Sequence, residues 1–293
     1  MSDDPFITHR SLLFTVAYEM LGSAADAEDV VHETWLRWAE IDEAAREKVR
    51  DARAYLVRIV TRLALNRQRD VARRREEYIG EWLPEPLRTS PDAAKDVELA
   101  ESISIAMLTV LETLRPTERA VFVLREVFDT PYDEIAAAVG KTPAAVRQIA
   151  HRARSHVAAR RPRMDVDRAE QQRAVERFLR ALTTGDVQGL MDVLAPDVVL
   201  VADGGGLAPA FRHPIEGVER VARLLAGLSR VAPEARVGTI WLNAAPAARI
   251  DADGDIGTTA VSVVVEGGRI TRIYVIRNPH KLTRLDEPTP LTR

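Results

Sequence analysis

At 293 residues the chain is long for a single core, and 46% hydrophobic with 29% charged residues is the composition of a globular protein of two or three small domains. It has no cysteine, which excludes disulfides and thiolate metal sites. The first thirty residues lack a basic stretch leading into an apolar core, and no run of eighteen apolar residues occurs. Neither a signal peptide nor a membrane helix is expected, and the chain reads as soluble and cytoplasmic.

The net charge of −3 hides a strong division along the chain. Between Glu19 and Asp51 there are ten acids against four bases; between Arg53 and Arg75 there are eight arginines and one aspartate. From Lys141 to Arg163 there are seven bases and no acid. Two basic helical segments suit phosphate backbones, where each neutralised charge releases counterions.

The first block, residues 6–77, contains "AADAEDVVHETWLRWAE". Ala27, Val30, Val31, Thr34, Trp35 and Trp38 recur at helical spacing and predict one buried stripe. Ser23 is placed to cap the helix. Asp29, His32, Glu33, Leu36 and Glu40 form a second, acidic stripe with an apolar residue inside it, the pattern of a docking face for a basic partner. The next helix, "ARAYLVRIVTRLALNRQRDVARRR", is expected to bury Tyr55, Leu56, Ile59, Val60, Leu63 and Ala64. Its polar face carries Arg58, Arg62, Asn66, Arg67 and Arg69, a set suited to phosphates and unstacked bases.

Residues 78–105 read as a linker, yet "YIGEWLPEPL" is unusually apolar for one. Trp82, Leu83 and Leu87 are expected to pack on another part of the protein, with Pro84 and Pro86 fixing an extended course.

In the third block, residues 106–162, "LRPTERAVFVLREVF" predicts a helix opened by Pro116. "DTPYDEIAAAVG" predicts a second, with Thr130 as cap, Pro131 at its first position, Asp133 completing a capping box and Gly140 ending it. Thr142 and Pro143 open a third, "PAAVRQIAHRARSHVAARR", with Val146, Ile149, Ala150, Ala153 and Val157 inward. Two helices, a tight turn and a basic helix make a helix-turn-helix. Arg147, Gln148 and His151 are placed to reach base edges, and Lys141, Arg152 and Arg154 to meet phosphates.

These motifs, in this order, closely resemble regions 2 and 4 of the extracytoplasmic-function sigma factors, promoter-recognition subunits of bacterial RNA polymerase. The resemblance implies that Asp29, His32, Glu33 and Leu36 contact core polymerase, whose β and β′ subunits would be partners; His32 departs from the usual Gln. It implies that Arg58, Arg62, Asn66, Arg67 and Arg69 engage the −10 element of promoter DNA. The −35 element would fall to Lys141, Thr142, Arg147, Gln148, His151, Arg152 and Arg154.

The last block, residues 168–285, predicts two helices, a strand running into "DGGG", an amphipathic helix, and further strands of which the last two join at Gly267-Gly268. Helices followed by a curved antiparallel sheet make an α+β domain. Its pattern resembles the SnoaL-like branch of the cone fold shared with ketosteroid isomerases and nuclear transport factor 2. The fold class is therefore multidomain, two all-α sigma domains and one α+β SnoaL-like, NTF2-like domain. An enzyme reading would use Asp203 as general acid or base beside His213; a structural reading makes Asp203-Gly204-Gly205-Gly206 a tight turn. No catalytic residue, cofactor or metal is assigned, since His213 and His280 do not form a ligand set.

A subgroup of these sigma factors carries a fused SnoaL-like domain, with "WLPEPL", "DGGG" and "NPDKL" as hallmarks. Here they stand as Trp82–Leu87, Asp203–Gly206 and "NPHKL" at Asn278–Leu282, with His280 in place of Asp. The resemblance implies an interdomain, regulatory role for Trp82, Leu83, Pro84, Leu87, Asp203, Gly204, Gly205, Gly206, Asn278, Pro279, Lys281 and Leu282, with the linker packing on the last domain or on the two sigma domains. The expected function is a sigma factor, not an enzyme, modulated in cis by its last domain and monomeric when free. Two alternatives stand beside it: a DNA-binding regulator whose last domain senses a small-molecule ligand, and one whose last domain is an active isomerase or cyclase.

Overall fold

The computed structural model describes residues 4–161, 168–254 and 257–293. The domain boundary expected at residue 162 lies outside the described residues. The chain divides into two compact units: Met1–Glu76 with Met107–Arg161 and Pro290–Arg293, and Glu77–Ala106 with Pro162–Thr289.

The first unit is helical. Helix α1 (Pro5–Leu21) starts at Asp4, whose carboxylate accepts from the Phe6 N–H, and everything from Leu12 to Leu21 is buried. A helix apolar on all sides belongs in the middle of a bundle. Helix α2 (Ala24–Ala39), capped by Ser23, and the 25-residue α4 (Ala52–Glu76) pack on it, with a short α3 (Glu43–Arg46) between them. The expected inner stripe of α2 holds except at Trp35, which is 41% exposed. Along α4, Val57, Thr61, Gln68 and Val71 join the buried face, while Tyr55 and Ile59 are only half-buried.

After α5 (Val97–Ser102), which belongs to the second unit, α6 (Ile105–Leu111) leads into α7 (Pro116–Phe122), where Glu118 accepts from the Arg115 N–H. The single helix expected through Phe128 instead widens into a π-turn over Val123–Val127. The Phe128 N–H reaches back to Val123 and the Thr130 N–H to Leu124. Thr130 is thereby used to close the preceding helix, and α8 (Tyr132–Val139) is capped by Pro131 with no side-chain bond, one residue later than expected. Gly140 ends α8 in the left-handed conformation, and Thr142 caps α9 (Pro143–Ala158) through the Ala145 N–H. Residues 290–293 return to α1, where the Ser11 hydroxyl donates to the Pro290 carbonyl and the Thr292 N–H donates to the Thr15 hydroxyl oxygen.

The second unit is a six-stranded sheet in the order β2-β1-β6-β5-β4-β3. Helices α10 (Arg168–Thr184) and α11 (Val187–Val193) lead into β1 (Leu194–Asp203), then β2 (Ile215–Glu216), α12 (Val218–Ala226) and α13 (Leu228–Val231). Strands β3 (Arg236–Leu242), β4 (Ala245–Asp251), β5 (Thr258–Glu266) and β6 (Arg269–Ile276) follow; β1 and β6 are parallel and every other pair antiparallel. The segment from Arg236 through Asp251 is thus two strands, turned at Asn243 and Ala244, both with positive φ.

Both faces of this sheet are covered, which accounts for the unbroken burial of β5 from Thr259 to Val265. Val261, Val263 and Val265 face the helices together with Phe178, Leu190 and Val221. Ala260 and Val264 face the other way, joining Tyr274 and Ile276 against Leu83, Ile105 and Leu282. The segment 77–106 is therefore the second layer on this face of the sheet.

Candidate functional site

Four sets of candidate side chains can be located, three in the first unit and one in the second. On α2 the outward face presents His32, Glu33, Trp35 and Leu36, with Leu36 42% exposed. The His32 and Trp35 rings stack at 5.8 Å, so the apolar part of this face is broader than the sequence pattern indicated. Trp35 was assigned to the core because its spacing fits both stripes of the helix. Asp29, on the same face, is engaged by the Arg67 guanidinium at 2.5 Å.

That contact gives Arg67, expected on the DNA-facing side of α4, a partner within the protein. Arg67 also bonds Asp26 at 2.9 Å, and Arg74 bonds Asp26 at 2.7 Å, so both arginines tie α4 to α2. Burial alone would push the Asp26 carboxyl up, but the hydrogen bonds from Arg74 and Arg67 outweigh it and hold the group below the ordinary carboxylate range. Arg58 lies with its guanidinium 5.2 Å from the Tyr55 ring centre. Asn66 and Arg69 are exposed. Arg62 donates to the Ala137 and Ala138 carbonyls at 2.8 and 3.3 Å, capping the C-terminal end of α8.

On α9, Arg147, Gln148, His151, Arg152 and Arg154 all point outward, with Lys141 and Thr142 exposed in the turn before it. The Arg147 guanidinium stands 5.4 Å from the Tyr132 ring centre and Arg154 is 3.7 Å from Glu126. Part of this set faces part of the other. A cleft of about 820 Å³ is lined by Arg62, Asn66 and Arg69 from α4 and by Lys141 and Arg152 from the helix-turn-helix. Away from the cleft, α4 is fastened to α1, α7 and the turn before α7 by a buried charge cluster. Arg119 donates to the Glu19 carbonyl at 2.6 Å and pairs with Glu112 at 3.0 Å, and Arg75 pairs with the same Glu112. Burial pushes the Arg119 guanidinium down to about 10, and burial with the neighbouring Arg119 charge pushes Arg75 to about 9, both still cationic at neutral pH.

The fourth set is assembled in the second unit from residues 200 positions apart. Strand β1 ends at Asp203, whose side chain points to the face covered by 77–106 and is 0% exposed. One carboxylate oxygen accepts from the Tyr78 hydroxyl at 2.5 Å; the other accepts from the Leu83 N–H at 2.9 Å and from Lys281 at 2.7 Å. Lys281 also donates to the Leu83 carbonyl at 2.6 Å, and Asn278 donates to the Tyr78 oxygen at 2.7 Å. The Lys281 ammonium sits 3.5 Å from the Trp82 ring centre and 4.9 Å from that of Tyr78, whose rings meet edge to face at 4.6 Å. Burial, reinforced by the bond to Asp203, raises the Tyr78 hydroxyl above its ordinary value, so it is a proton donor at neutral pH.

The glycines after Asp203 have separate reasons. A Cβ on Gly204 would collide with the Ala208 carbonyl and one on Gly205 with the Asn278 amide. Gly205 also has φ of +62°, where a side chain is strained. Further along, Leu83, Pro84, Glu85, Pro86 and Leu87 are all buried. The Asn243 N–H donates to the Leu87 carbonyl, and the Asn243 side chain accepts from the Leu87 N–H and donates to the Ile103 carbonyl. The Thr89 N–H bonds Trp241 at 3.0 Å, so the segment pairs with the outer edge of β3.

Pro279 is exposed, Leu282 is buried in the same apolar layer, and the His280 side chain faces solvent. Only the His280 N–H enters the arrangement, donating to Asn278. His213 is exposed and no bond joins it to Asp203, whose partners are those named above. Tyr78 is the functional residue that sequence reading missed. Its place four positions before Trp82 in an apolar linker was the available signal.

Among the described residues no group of three or more His, Asp or Glu is placed to hold a metal ion, and no helix is long and apolar enough to cross a membrane.

Comparison with known proteins agrees with this anatomy. Residues 6–75 match the sigma-70 region 2 family and residues 104–157 match sigma-70, region 4. The chain is 36% identical to the ECF RNA polymerase sigma factor SigJ of Mycobacterium tuberculosis, over 97% of this chain and 94% of that protein. It is 30% identical to a probable ECF RNA polymerase sigma factor, SigI, of the same species, over 94% of this chain and 93% of that one. The crystal structure of the Mycobacterium tuberculosis SigJ superimposes with a TM-score of 0.77 at 32% identity, covering 96% of this chain and 98% of that one.

Proposed function

The chain belongs to the extracytoplasmic-function RNA polymerase sigma factors, and from that premise we propose that its SnoaL-like domain restrains it in cis by holding the segment that joins regions 2 and 4. As a sigma factor it binds core RNA polymerase and promoter DNA and initiates transcription. The observation that carries the regulatory reading is the clasp on residues 78–87, in which Asp203, Asn278 and Lys281 hold Tyr78 and Leu83.

A second observation supports restraint rather than assistance. Arg62, Asn66 and Arg69 face the same cleft as Lys141 and Arg152. Reading DNA with a helix requires a major groove about 12 Å wide to close around it. A cleft of about 820 Å³ cannot admit a duplex, so the two sets must part before each takes its own promoter element. Holding the joining segment limits that parting.

The remaining roles follow the family pattern. His32, Glu33 and Leu36, with Trp35 added, form the face for core polymerase. Arg58, Asn66 and Arg69 serve the −10 element, and Arg67 positions α4 instead of touching DNA. Arg147, Gln148 and His151 read the −35 element, with Arg152 and Arg154 on phosphates. Asp203 acts as the anchor of the clasp and not as a catalytic base: both its oxygens are committed, and it faces the sheet's linker-covered side.

The test is promoter-directed transcription with purified core polymerase, comparing the full chain with a truncation ending at Arg161 on the same genomic fragments. The truncation should initiate more strongly. Equal activity of the two would remove the cis restraint, and failure of both to bind core polymerase would contradict the sigma assignment.

A further inference from the structure

The groups that grip Tyr78 are carried by two adjacent strand ends of the sheet. Asp203 ends β1 opposite Ile276 of the parallel neighbour β6. The N–H groups of Arg277 and Asn278 both donate to the Asp203 carbonyl, at 2.7 and 3.1 Å. Asn278 then accepts from the His280 N–H at 3.0 Å, which turns the chain so that Lys281 reaches back to the Asp203 carboxylate. An acceptor carboxylate, a donor amide and an ammonium are therefore held in one place by backbone bonds between strand ends.

What they hold is a phenol. Its hydroxyl donates to the carboxylate at 2.5 Å and accepts from the amide at 2.7 Å, while the ammonium lies 4.9 Å from its ring centre. A second aromatic ring, the Trp82 indole, lies 3.5 Å from the same ammonium. A Cβ on Gly205 would stand only 3.0 Å from the phenol oxygen, so the missing side chain leaves that space to the hydroxyl. Carboxylate and amide together select a hydroxyl that both donates and accepts, and the cation selects an electron-rich ring face.

We infer that Asp203, Asn278 and Lys281 form a binding site for a hydroxyaryl ligand, occupied in the resting protein by the chain's own Tyr78 and Trp82 as a built-in surrogate. The inference rests on the proposed restraint for its consequence: a ligand that takes these positions frees the linker. Tethering gives the surrogate an effective concentration on the order of millimolar. An effector must therefore offer a phenol with a second aromatic ring, whereas a single-ring phenol binds only when Tyr78 is removed.

The full-length Tyr78→Ala protein tests this with p-cresol and toluene as probes, reading binding calorimetrically and linker protection by the rate of proteolysis after Glu77 and Glu81. A hydrogen bond to a charged acceptor corresponds to about ten- to a hundredfold in affinity. p-Cresol should bind tighter than toluene by that factor and leave the linker as open to cleavage as in the ligand-free variant, and adding Asn278→Ala should shrink the preference. Tyr78→Leu replaces Tyr78→Ala if the latter does not melt cooperatively. Equal binding of the two probes, or binding of neither to the folded protein, overturns the site. The transcription comparison is independent: if p-cresol is preferred but the truncation at Arg161 is no more active than the full chain, the site stands and the restraint falls. The reverse result removes the site and leaves the restraint.

Discussion

Asp203 illustrates how one carboxylate is put to work by its surroundings. A buried charge is tolerated only when paired and fully bonded, and here a lysine, a phenol and a backbone amide do both. Lys281→Met would leave that charge uncompensated, and removing one partner of a buried pair costs on the order of 3–5 kcal/mol. Linker cleavage by protease should then become fast while the melting of the first unit is unchanged. Gly205→Ala should act the same way, because the new Cβ meets the Asn278 amide and the backbone sits at φ of +62°. The sequence marked Asp203 to Gly206, Asn278 and Lys281 only through resemblance, since nothing in their spacing shows that β1 and β6 end side by side. Tyr78 escaped because a tyrosine in a linker carries no periodic pattern to reveal its partner. Trp35 escaped for the opposite reason, since its position satisfies the helical period of the core as well as that of the surface.

At the scale of elements, local rules and tertiary bonds contributed differently. Ser23 and Thr142 cap their helices where sequence placed them, because capping is decided within four residues. Thr130 does not, because the π-turn before it claims its N–H for Leu124. The basic face of α4 was legible as a charge pattern, but which arginines stay outward depends on acids 38 to 48 residues away. Asp26→Asn should lower the stability of the first unit by about 1–3 kcal/mol, the cost of losing charged hydrogen bonds. Its pH dependence has a defined sign. The carboxyl lies below its ordinary value of 3.8 in the folded protein, so its contribution is complete above 3.8 and is lost as pH falls through the folded value. Acid titrations of Asp26→Asn should accordingly show a shallower loss of stability below pH 3.8. In the same unit, Glu112→Gln weakens the cluster with Arg75 and Arg119. Fluorophores on α4 and α9 should report greater separation in that variant; unchanged transfer efficiency would show that the cluster does not hold the two recognition helices together.

For the whole molecule, the sequence suggested three domains and a linker, whereas the chain forms two compact units with residues 77–106 built into the second. Long-range pairing of this kind is invisible to periodicity, although the apolar character of "WLPEPL" anticipated a surface for the linker to pack on. Burial of Leu83 and Leu87 contributes about 1.5–3 kcal/mol each. Energies of this size make the clasp strong yet reversible, as the proposed restraint requires. The measurement that tests this most directly is transcription by core polymerase with the full-length Lys281→Met protein, set against wild type and the truncation at Arg161. The variant is expected to initiate more strongly than wild type and to approach the truncation. Activity equal to wild type, with the linker shown by proteolysis to be released, would contradict the claim that holding this segment restrains the sigma factor.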